Sequence, residues 1–445
     1  MQQKLLAVFC ALFILTLANR VFAQEEWSLQ ECMDYAVQQN RNVALSKLDV
    51  ENKSIDIQIA KREKLPNLNA FSNISSNFGQ SQDIFGNNAR NDNFSNSIGL
   101  SSSVSLLNFG RIKNSVIKTE ALVNASKEDV ELARRNTRMQ VAQAYLQVLL
   151  QKEMARLIDS SAIFSSLQLQ KIQRSTDLGV TALSVLYEAK ANYSRDVQKK
   201  AAAVQQIDKA MLALKYAMNM QEDQEIRIDD KISFVEELSR NDVKVDLYSN
   251  MIWNEHPLIK KYQYLNESVI AENKIIRSSL YPSIDLSVNV GSFYFNNLTQ
   301  GFGKLPYMEQ IQNNFSQQVT LSLNIPIYNR NNAKYNLQKN KIVIQQNAEQ
   351  LALGKQQFNQ EMQGYLLDYK NYENQLALSN EALDNTRLAF DISQKSFDAG
   401  KISIYDLNTS RANLLNAESE TIQVRYNMAF AKLLIQLMAT GDITF

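Results

Sequence analysis

Phe397-Asp398-Ala399-Gly400-Lys401 interrupts a helical pattern that continues on both sides of it. Upstream, Leu366 to Phe397 contains neither glycine nor proline, and downstream nothing breaks the periodicity from Lys401 to Thr440. A glycine placed after a helix takes the left-handed conformation that ends it without a steric penalty, so this stretch reads as the tip of a helical hairpin. The phrase occurs twice. Asp177-Leu178-Gly179-Val180, followed by Ala182-Leu183-Ser184-Val185-Leu186 and Ala191-Asn192-Tyr193, parallels Asp398-Ala399-Gly400-Lys401, Ser403-Ile404-Tyr405-Asp406-Leu407 and Ala412-Asn413-Leu414. The chain is therefore a tandem duplication, with one tip at Gly179 and the other at Gly400.

The helices that meet at the tips are long. Arg111 to Leu178 has no glycine or proline, enough for a rod on the order of 100 Å at 1.5 Å per residue. Only 12 glycines and 5 prolines punctuate 445 residues, which implies very long helices throughout. After the first tip, Val197, Val204, Met211 and Met218 recur every seven residues, interleaved with Tyr193, Lys200, Ile207 and Leu214. That spacing predicts a coiled-coil seam with one polar exception, Lys200.

Toward the N-terminus, Ser28 to Lys64 reads as one helix that Pro66 stops, and the period then changes to two. Leu68, Ala70, Ser72, Ile74, Ser76 and Phe78 alternate with Asn67, Asn69, Phe71, Asn73, Ser75 and Asn77, predicting a strand over about 66–79. Gly79 to Asn93 reads as a polar loop. A second strand over 93–108 sets Phe94, Ile98, Leu100, Val104 and Leu106 against Ser95, Ser97, Gly99, Ser101, Ser103 and Ser105. The later copy repeats this programme: a helix to Ser279, Pro282, a strand over 282–295, a loop from Asn296 to Asn314 and a strand over 315–328. Pro282 corresponds to Pro66, Arg330 to Arg111 and Gly400 to Gly179. The expected organisation is a signal peptide at 1–23, a first repeat at 24–221, a charged connector at 222–244 and a second repeat at 245–445.

Strands with one apolar and one polar face fit a soluble sandwich or a transmembrane barrel whose polar face lines a wet lumen. Ser, Asn and Gly dominate these polar faces, as a lumen prefers. The N-terminus supports export: Lys4, an apolar run from Leu5 to Leu17 and Val21-Phe22-Ala23 form a secretory signal, about 13 residues against the roughly 20 of a spanning helix. Four strands cannot close a barrel, and an open edge in lipid leaves backbone groups unsatisfied, so closure must come from other copies of the chain.

Composition excludes other classes. The whole chain carries 47 Lys and Arg, 46 Asp and Glu and 1 His, and losing Lys4 and Arg20 with the signal leaves it near neutral, without the basic surface nucleic acid needs. Cys32 is the single mature cysteine and sits between Leu29 and Met33 as a buried small hydrophobe, so no intramolecular disulfide forms. His256, the lone histidine, precedes Pro257 at a helix start, where a capping or surface role is expected. No phosphate loop, metal-ligand cluster or catalytic constellation is present, so no enzyme activity, cofactor or metal is expected. A soluble periplasmic coiled-coil scaffold accounts for the helices but not for the strand hairpins at matching positions.

Several phrases together resemble the TolC-like outer-membrane efflux proteins over essentially the whole mature chain. They are Trp27-Ser28-Leu29-Gln30-Glu31-Cys32-Met33-Asp34-Tyr35-Ala36 with Asn40 beyond it, and Lys64-Leu65-Pro66-Asn67-Leu68 with its echo Leu280-Tyr281-Pro282-Ser283-Ile284. The strand ends Leu107-Asn108-Phe109-Gly110-Arg111 and Pro326-Ile327-Tyr328-Asn329-Arg330, and both glycine tips, complete the set. The resemblance implies a mixed α/β membrane protein in the outer membrane of a Gram-negative bacterium. A homotrimer would share one β-barrel, four strands from each chain, continued by a periplasmic coiled-coil tunnel. It implies an efflux duct, or the duct of a type I protein secretion system, whose partners are outer-membrane lipid, a periplasmic adaptor and, through it, an inner-membrane pump. Leu178, Gly179, Val180, Ala399, Gly400 and Lys401 are then the adaptor-docking tips. Family members close the tip with acidic rings six and nine residues after the second tip glycine. Those positions hold Asp406 and Thr409 here, so the second ring would be uncharged.

Overall fold

The computed structural model describes residues 26–82, 86, 88–229, 256–299 and 305–441. The expected signal peptide and residues 230–244 of the connector lie outside these. Two units build the chain: one from the described parts of Met1–Lys47, Asp129–Pro257 and Gly354–Phe445, the other from Leu48–Glu128 and Leu258–Leu353.

In the first unit, β1 (Glu26–Trp27) leads into α1 (Leu29–Gln39). Ser28 and Glu31 start α1 with a capping box, the Ser28 hydroxyl accepting from the Glu31 N–H and the Glu31 carboxylate accepting from the Ser28 N–H at 2.8 Å. The expected single helix from Ser28 to Lys64 is in fact two. Asn40 turns to an extended conformation, and its side-chain oxygen accepts from the N–H groups of Asn42 and Val43, capping a new helix, α2 (Arg41–Arg62). Leu29, Cys32, Met33 and Ala36 of α1 pack with Val141, Tyr145 and Leu149 of α3 (Arg111–Asp177), Leu214 of α4 (Leu183–Ala217) and Leu433 of α8 (Ile404–Thr440). β6 (Arg227–Ile228) pairs in parallel with β1. The Tyr145 hydroxyl lies 2.8 Å from the Asp229 carbonyl and 3.2 Å from that of Trp27, tying this small sheet to α3. Cys32 is fully buried, and burial pushes its thiol up to about 12.

The seven-residue seam of α4 follows expectation at its C-terminal end, where Leu214 and Met218 are fully buried and Met211 packs against them, and is displaced upstream. The helix buries Leu186, Ala189, Asp196, Ala203, Ala210 and Leu214, so the repeat runs through Ala189, Asp196, Ala203 and Ala210. Val197 and Val204, one position further on, stay exposed, and Lys200 reaches Asp159 of α3 at 2.5 Å. Alanine wins the interior positions because a small side chain lets neighbouring helices approach closely; the valines are left outside.

The second unit holds a four-stranded antiparallel sheet in the order β2-β5-β7-β8. β2 spans Asn69–Asn77, β5 Asn93–Leu107, β7 Ser283–Asn297 and β8 Ser316–Asn324. The edge strands are shorter than the alternation suggested. β2 ends before Gly79, whose φ is +137°, and β8 ends before Pro326, which has no N–H for a ladder. The expected loop from Gly79 to Asn93 contains a short hairpin, β3 (Gln80–Gln82) with β4 (Asn88–Arg90), and the later loop contains α6 (Tyr307–Asn313). Ile74, Ile98, Leu100, Leu286, Val288, Val319, Leu321 and Leu323 share one face. On the other face Gly99 lies opposite Gly291, and a Cβ on either would stand 2.6 Å from a carbonyl oxygen of the facing strand, so both must be glycine.

The polypeptide leaves the sheet twice by the same turn. Phe109 and Gly110, and Arg330 and Asn331, have consecutive positive φ, each turn closed by a hydrogen bond: Arg111 N–H to Asn108 oxygen, and Asn332 N–H to Asn329 oxygen. Arg111 is therefore equivalent to Asn332, not to Arg330. α7 (Asn332–Asp398) and α3 consequently match residue for residue, each 67 residues long. α5 (Pro257–Ser278) runs antiparallel to α7 with two amide rungs seven residues apart, Asn347 to Asn266 and Asn340 to Asn273, each 2.9 Å. Such polar pairs fix helix register.

Candidate functional site

Both tips end their helices in the same way. At the first, the Gly179 N–H donates to Thr176 oxygen and the Val180 N–H to Ser175 oxygen, each at 2.9 Å; at the second, Gly400 donates to Phe397 at 2.9 Å and Lys401 to Ser396 at 2.8 Å. These paired bonds form the Schellman motif, which needs a left-handed residue, and Gly179 and Gly400 have φ of +76° and +72°. Nothing lies within 4 Å of a Cβ built on either glycine, so backbone conformation rather than space demands them. Leu178 and Val180 flank the first glycine at 81 % and 79 % exposure, while Ala399 and Lys401 are exposed beside the second. One tip presents an apolar pair and the other a cation.

Behind the glycines the two hairpins are packed together. Ile172, Leu186, Ala189 and Ile404 form a small core with Leu169, Val185 and Phe397 against it. Lys171 of α3 donates to Asp398 at the end of α7 at 2.6 Å, and this hydrogen bond holds the Asp398 carboxyl below the usual range.

The helices that leave the two tips start differently. Ala182 precedes α4 and gives no side-chain cap, whereas Ser403 opens α8 with a capping box closed by Asp406. The Asp406 carboxylate accepts from the Ser403 hydroxyl at 2.7 Å and from its N–H at 3.1 Å, and these bonds, the hydroxyl's first, lower its pKa. Asp406 is thus an exposed carboxylate held in its charged form at a helix N-terminus. Thr409, one turn on, donates its hydroxyl to the Tyr405 carbonyl at 2.9 Å and spends it within its own helix.

Sequence reasoning missed a largely buried ion pair set back from the tips. Arg411 of α8 meets Asp196 of α4 at 2.7 Å, with side chains only 14 % and 12 % exposed. The same guanidinium donates to the carbonyl and hydroxyl of Ser161 in α3 and lies over the Phe164 ring, 4.7 Å from its centroid. Phe164 in turn meets Phe390 of α7 edge-on at 5.6 Å. One arginine therefore links all four long helices, beside a cavity of about 140 Å³ lined by Leu157, Phe390 and Leu414 among others. A signal for it existed. Arg411 falls at helical spacing between Leu407 and Leu414, on the stripe that packs inward.

His256 is not a surface residue. It is buried, with its ring edge-on to Phe358 at 5.0 Å, and burial followed by the charge of Arg135 lowers its pKa to about 4, leaving it neutral.

A family model described as outer membrane efflux protein matches residues 33–220 and 250–439, one match for each sequence copy. No curated protein matches the chain significantly. Among solved structures, the outer membrane protein VceC from Vibrio cholerae is 14 % identical, with a TM-score of 0.71 over 93 % of this chain and 96 % of that one. The Campylobacter jejuni CmeC outer membrane channel is 15 % identical, with a TM-score of 0.69 over 93 % and 85 % of the two chains. The Neisseria gonorrhoeae MtrE outer membrane channel, solved in an open state, is 18 % identical, with a TM-score of 0.66 over 92 % and 89 %. At these identities the likeness establishes the fold.

Proposed function

The chain belongs to the outer membrane efflux protein family, and from that premise we propose that it is the channel-tunnel of a tripartite efflux or export system. In this reading substrates pass by conduction alone from a periplasmic adaptor and inner-membrane pump to the exterior. The observation that carries it is the open sheet, continuous in sequence with long helical hairpins: among the described residues it has four strands, one apolar face and two unpaired edges. Such a sheet is incomplete by itself. Three chains would supply twelve strands and remove every edge, which satisfies the backbone in lipid.

The dimensions of the sheet support this orientation. Ile284 to Tyr294 along β7 covers about 26 Å at roughly 3.4 Å per residue and a tilt of about 40°, against the ~25 Å apolar band of a membrane barrel. Aromatic side chains gather at both ends of that stretch. Tyr294 meets Phe94 and Tyr307 at 6.1 and 5.0 Å, and Tyr281 stacks on Phe109 at 4.9 Å, as interfacial girdles do.

The tips are the adaptor-docking end in this reading. Leu178 and Val180 offer an apolar contact and Lys401 a charged one, so the two tips of a subunit would engage different parts of an adaptor. A three-fold axis would bring three Asp406 carboxylates together as a cation-favouring ring, with Thr409 contributing no charge. The Arg411 linkage would hold the inner helix of the second hairpin in the packed state.

The deciding measurement is the mass of the particle extracted from outer membranes in detergent, with its cross-linking ladder. A trimer is expected. A monomer, or release of the protein by salt without detergent, would end the duct reading, since four strands cannot enclose a pore.

A further inference from the structure

The internal duplication contains information about a contact that one chain cannot make. Asn69 opposite Ser101 in the β2–β5 hairpin corresponds to Asp285 opposite Ser322 in the β7–β8 hairpin. First strands of the two copies are thus related by 216 residues (Asn69 to Asp285) and second strands by 221 (Ser101 to Ser322). The second shift is the one that relates Arg111 to Asn332 and Gly179 to Gly400, so it continues unbroken from the strand to the tip.

Inside the chain, β5 lies against β7: the second strand of the first copy pairs with the first strand of the second copy. At the sheet's outer edges stand the two remaining partners of that relationship, β8 and β2, each nine residues long. Carrying the β5–β7 register through the two shifts converts Ser97–Phe293 into Gln318–Asn77, Ser101–Asn289 into Ser322–Asn73, and Ser103–Ser287 into Asn324–Phe71. We propose that β8 of one subunit pairs antiparallel with β2 of the next in this register, from Gln318 opposite Asn77 to Asn324 opposite Phe71. The inference rests on the trimeric duct reading and goes beyond it by naming the residues at the seam.

Two independent features of the sequence agree with that register. Facing is one. It sets Leu321 against Ile74, Val319 against Ser76 and Leu323 against Ser72, all on the face that already carries Leu286, Val288 and Leu100. A slip of one residue would put Leu321 across from a lumen-facing position, which the two-residue period of a strand forbids. The other feature is proline. The β5–β7 ladder has its irregularity between Ser105 and Leu107, and the equivalent positions in β8 are Pro326 and Tyr328. Bulges tolerate the missing N–H of proline, so Pro326 stands where the transferred register leaves a gap in the ladder.

Slips of two residues preserve facing, and cysteine pairs separate them. Ser322→Cys with Asn73→Cys tests the proposed register, and Ser322→Cys with Ser75→Cys or Phe71→Cys tests the slips on either side. Ser101→Cys with Asn289→Cys is the matching pair inside the chain and reports whether a disulfide closes in this geometry. Native Cys32 is buried and does not compete. After mild oxidation of outer membranes, denaturing gels without reductant should show the Ser322/Asn73 variant shifted to covalent trimer, the shifted pairs remaining largely monomeric. Each single-cysteine variant must first give a native trimer. Trimers in which a shifted pair cross-links preferentially, or in which only the intrachain control closes, would overturn the register and leave the duct reading standing. A native monomer would remove both.

Discussion

Truncating Asp196 gives the sharpest test of what holds the tips. Its carboxylate is the charged partner of Arg411 in a site only 12–14 % exposed. Removing one member of a buried pair costs about 3–5 kcal/mol, because the other charge stays behind without its partner. Asp196→Ala leaves Arg411 its Ser161 oxygens and the Phe164 ring, which places the loss near the lower end, about 3 kcal/mol. That corresponds to roughly a hundredfold in the equilibrium between packed and released hairpins, at about 1.4 kcal/mol per decade. Replacing both partners with apolar residues, Asp196→Leu with Arg411→Met, should recover most of it, since a desolvated ion pair gains little over well-packed hydrophobes. Hydrogen exchange of the α8 amides from Leu407 to Leu414 reads the opening directly, and Asp196→Leu, Arg411→Met and the double variant form a cycle. A coupling of about 2 kcal/mol or more is expected, with higher single-channel conductance in planar bilayers for the single variants. Additivity within about 0.5 kcal/mol, or unchanged protection in Asp196→Ala, would show that the arginine does not fasten the hairpins.

Asp406→Ala should raise single-channel conductance and weaken block by cations. Because hydrogen bonds from Ser403 depress the Asp406 pKa, the wild-type charge and its capping contribution should be fully present above the ordinary carboxylate value and disappear as pH falls through the depressed one. Reversal potentials measured against pH will test this, and cation preference insensitive to both acid and Asp406→Ala would remove the ring. Valine at Gly179 or Gly400 is forced into a left-handed backbone at about 1–2 kcal/mol; efflux should be lost with trimers intact, and normal drug resistance in both variants would refute the docking role. Gly99→Ala or Gly291→Ala places a methyl 2.6 Å from a facing carbonyl oxygen, so the ladder must part and the yield of heat-resistant trimer should fall, whereas Gly364→Ala, with open space around it, should not affect assembly.

The tips, the proline stops and the duplication were legible because each leaves a local mark. Gly179 and Gly400 end their helices for a backbone reason, and the change of period after Pro66 and Pro282 announces a strand. Contacts between distant residues left weaker marks. The break at Asn40 was hidden because asparagine also occurs within helices, and only its side-chain bonds to Asn42 and Val43 distinguish a cap. Hydrophobicity favours Val197 and Val204, while the upstream seam uses alanine and Asp196, whose value lies in smallness and in a partner 215 residues away. Arg411 interrupted an inward-facing stripe, which was a visible irregularity with no visible partner. The short helix after Pro306 answers to the free edge of β7: Gln310 accepts from the Phe295 N–H and Asn314 donates to the Phe293 carbonyl. No helical period announces such a fit.

The equal length of α3 and α7 restricts how this lineage can grow or shrink. Deleting one residue from a helix turns everything beyond it by about 100°, so a single loss in α3 would carry Leu178 and Val180 away from their present face. Seven residues restore the face to within about 20°. Tolerated length changes in these helices should therefore come in heptads and in both copies together, with a compensating change in α4 and α8. Descendants would be longer or shorter by steps of about 10 Å, a quantum set by helix geometry rather than by the distance to be spanned.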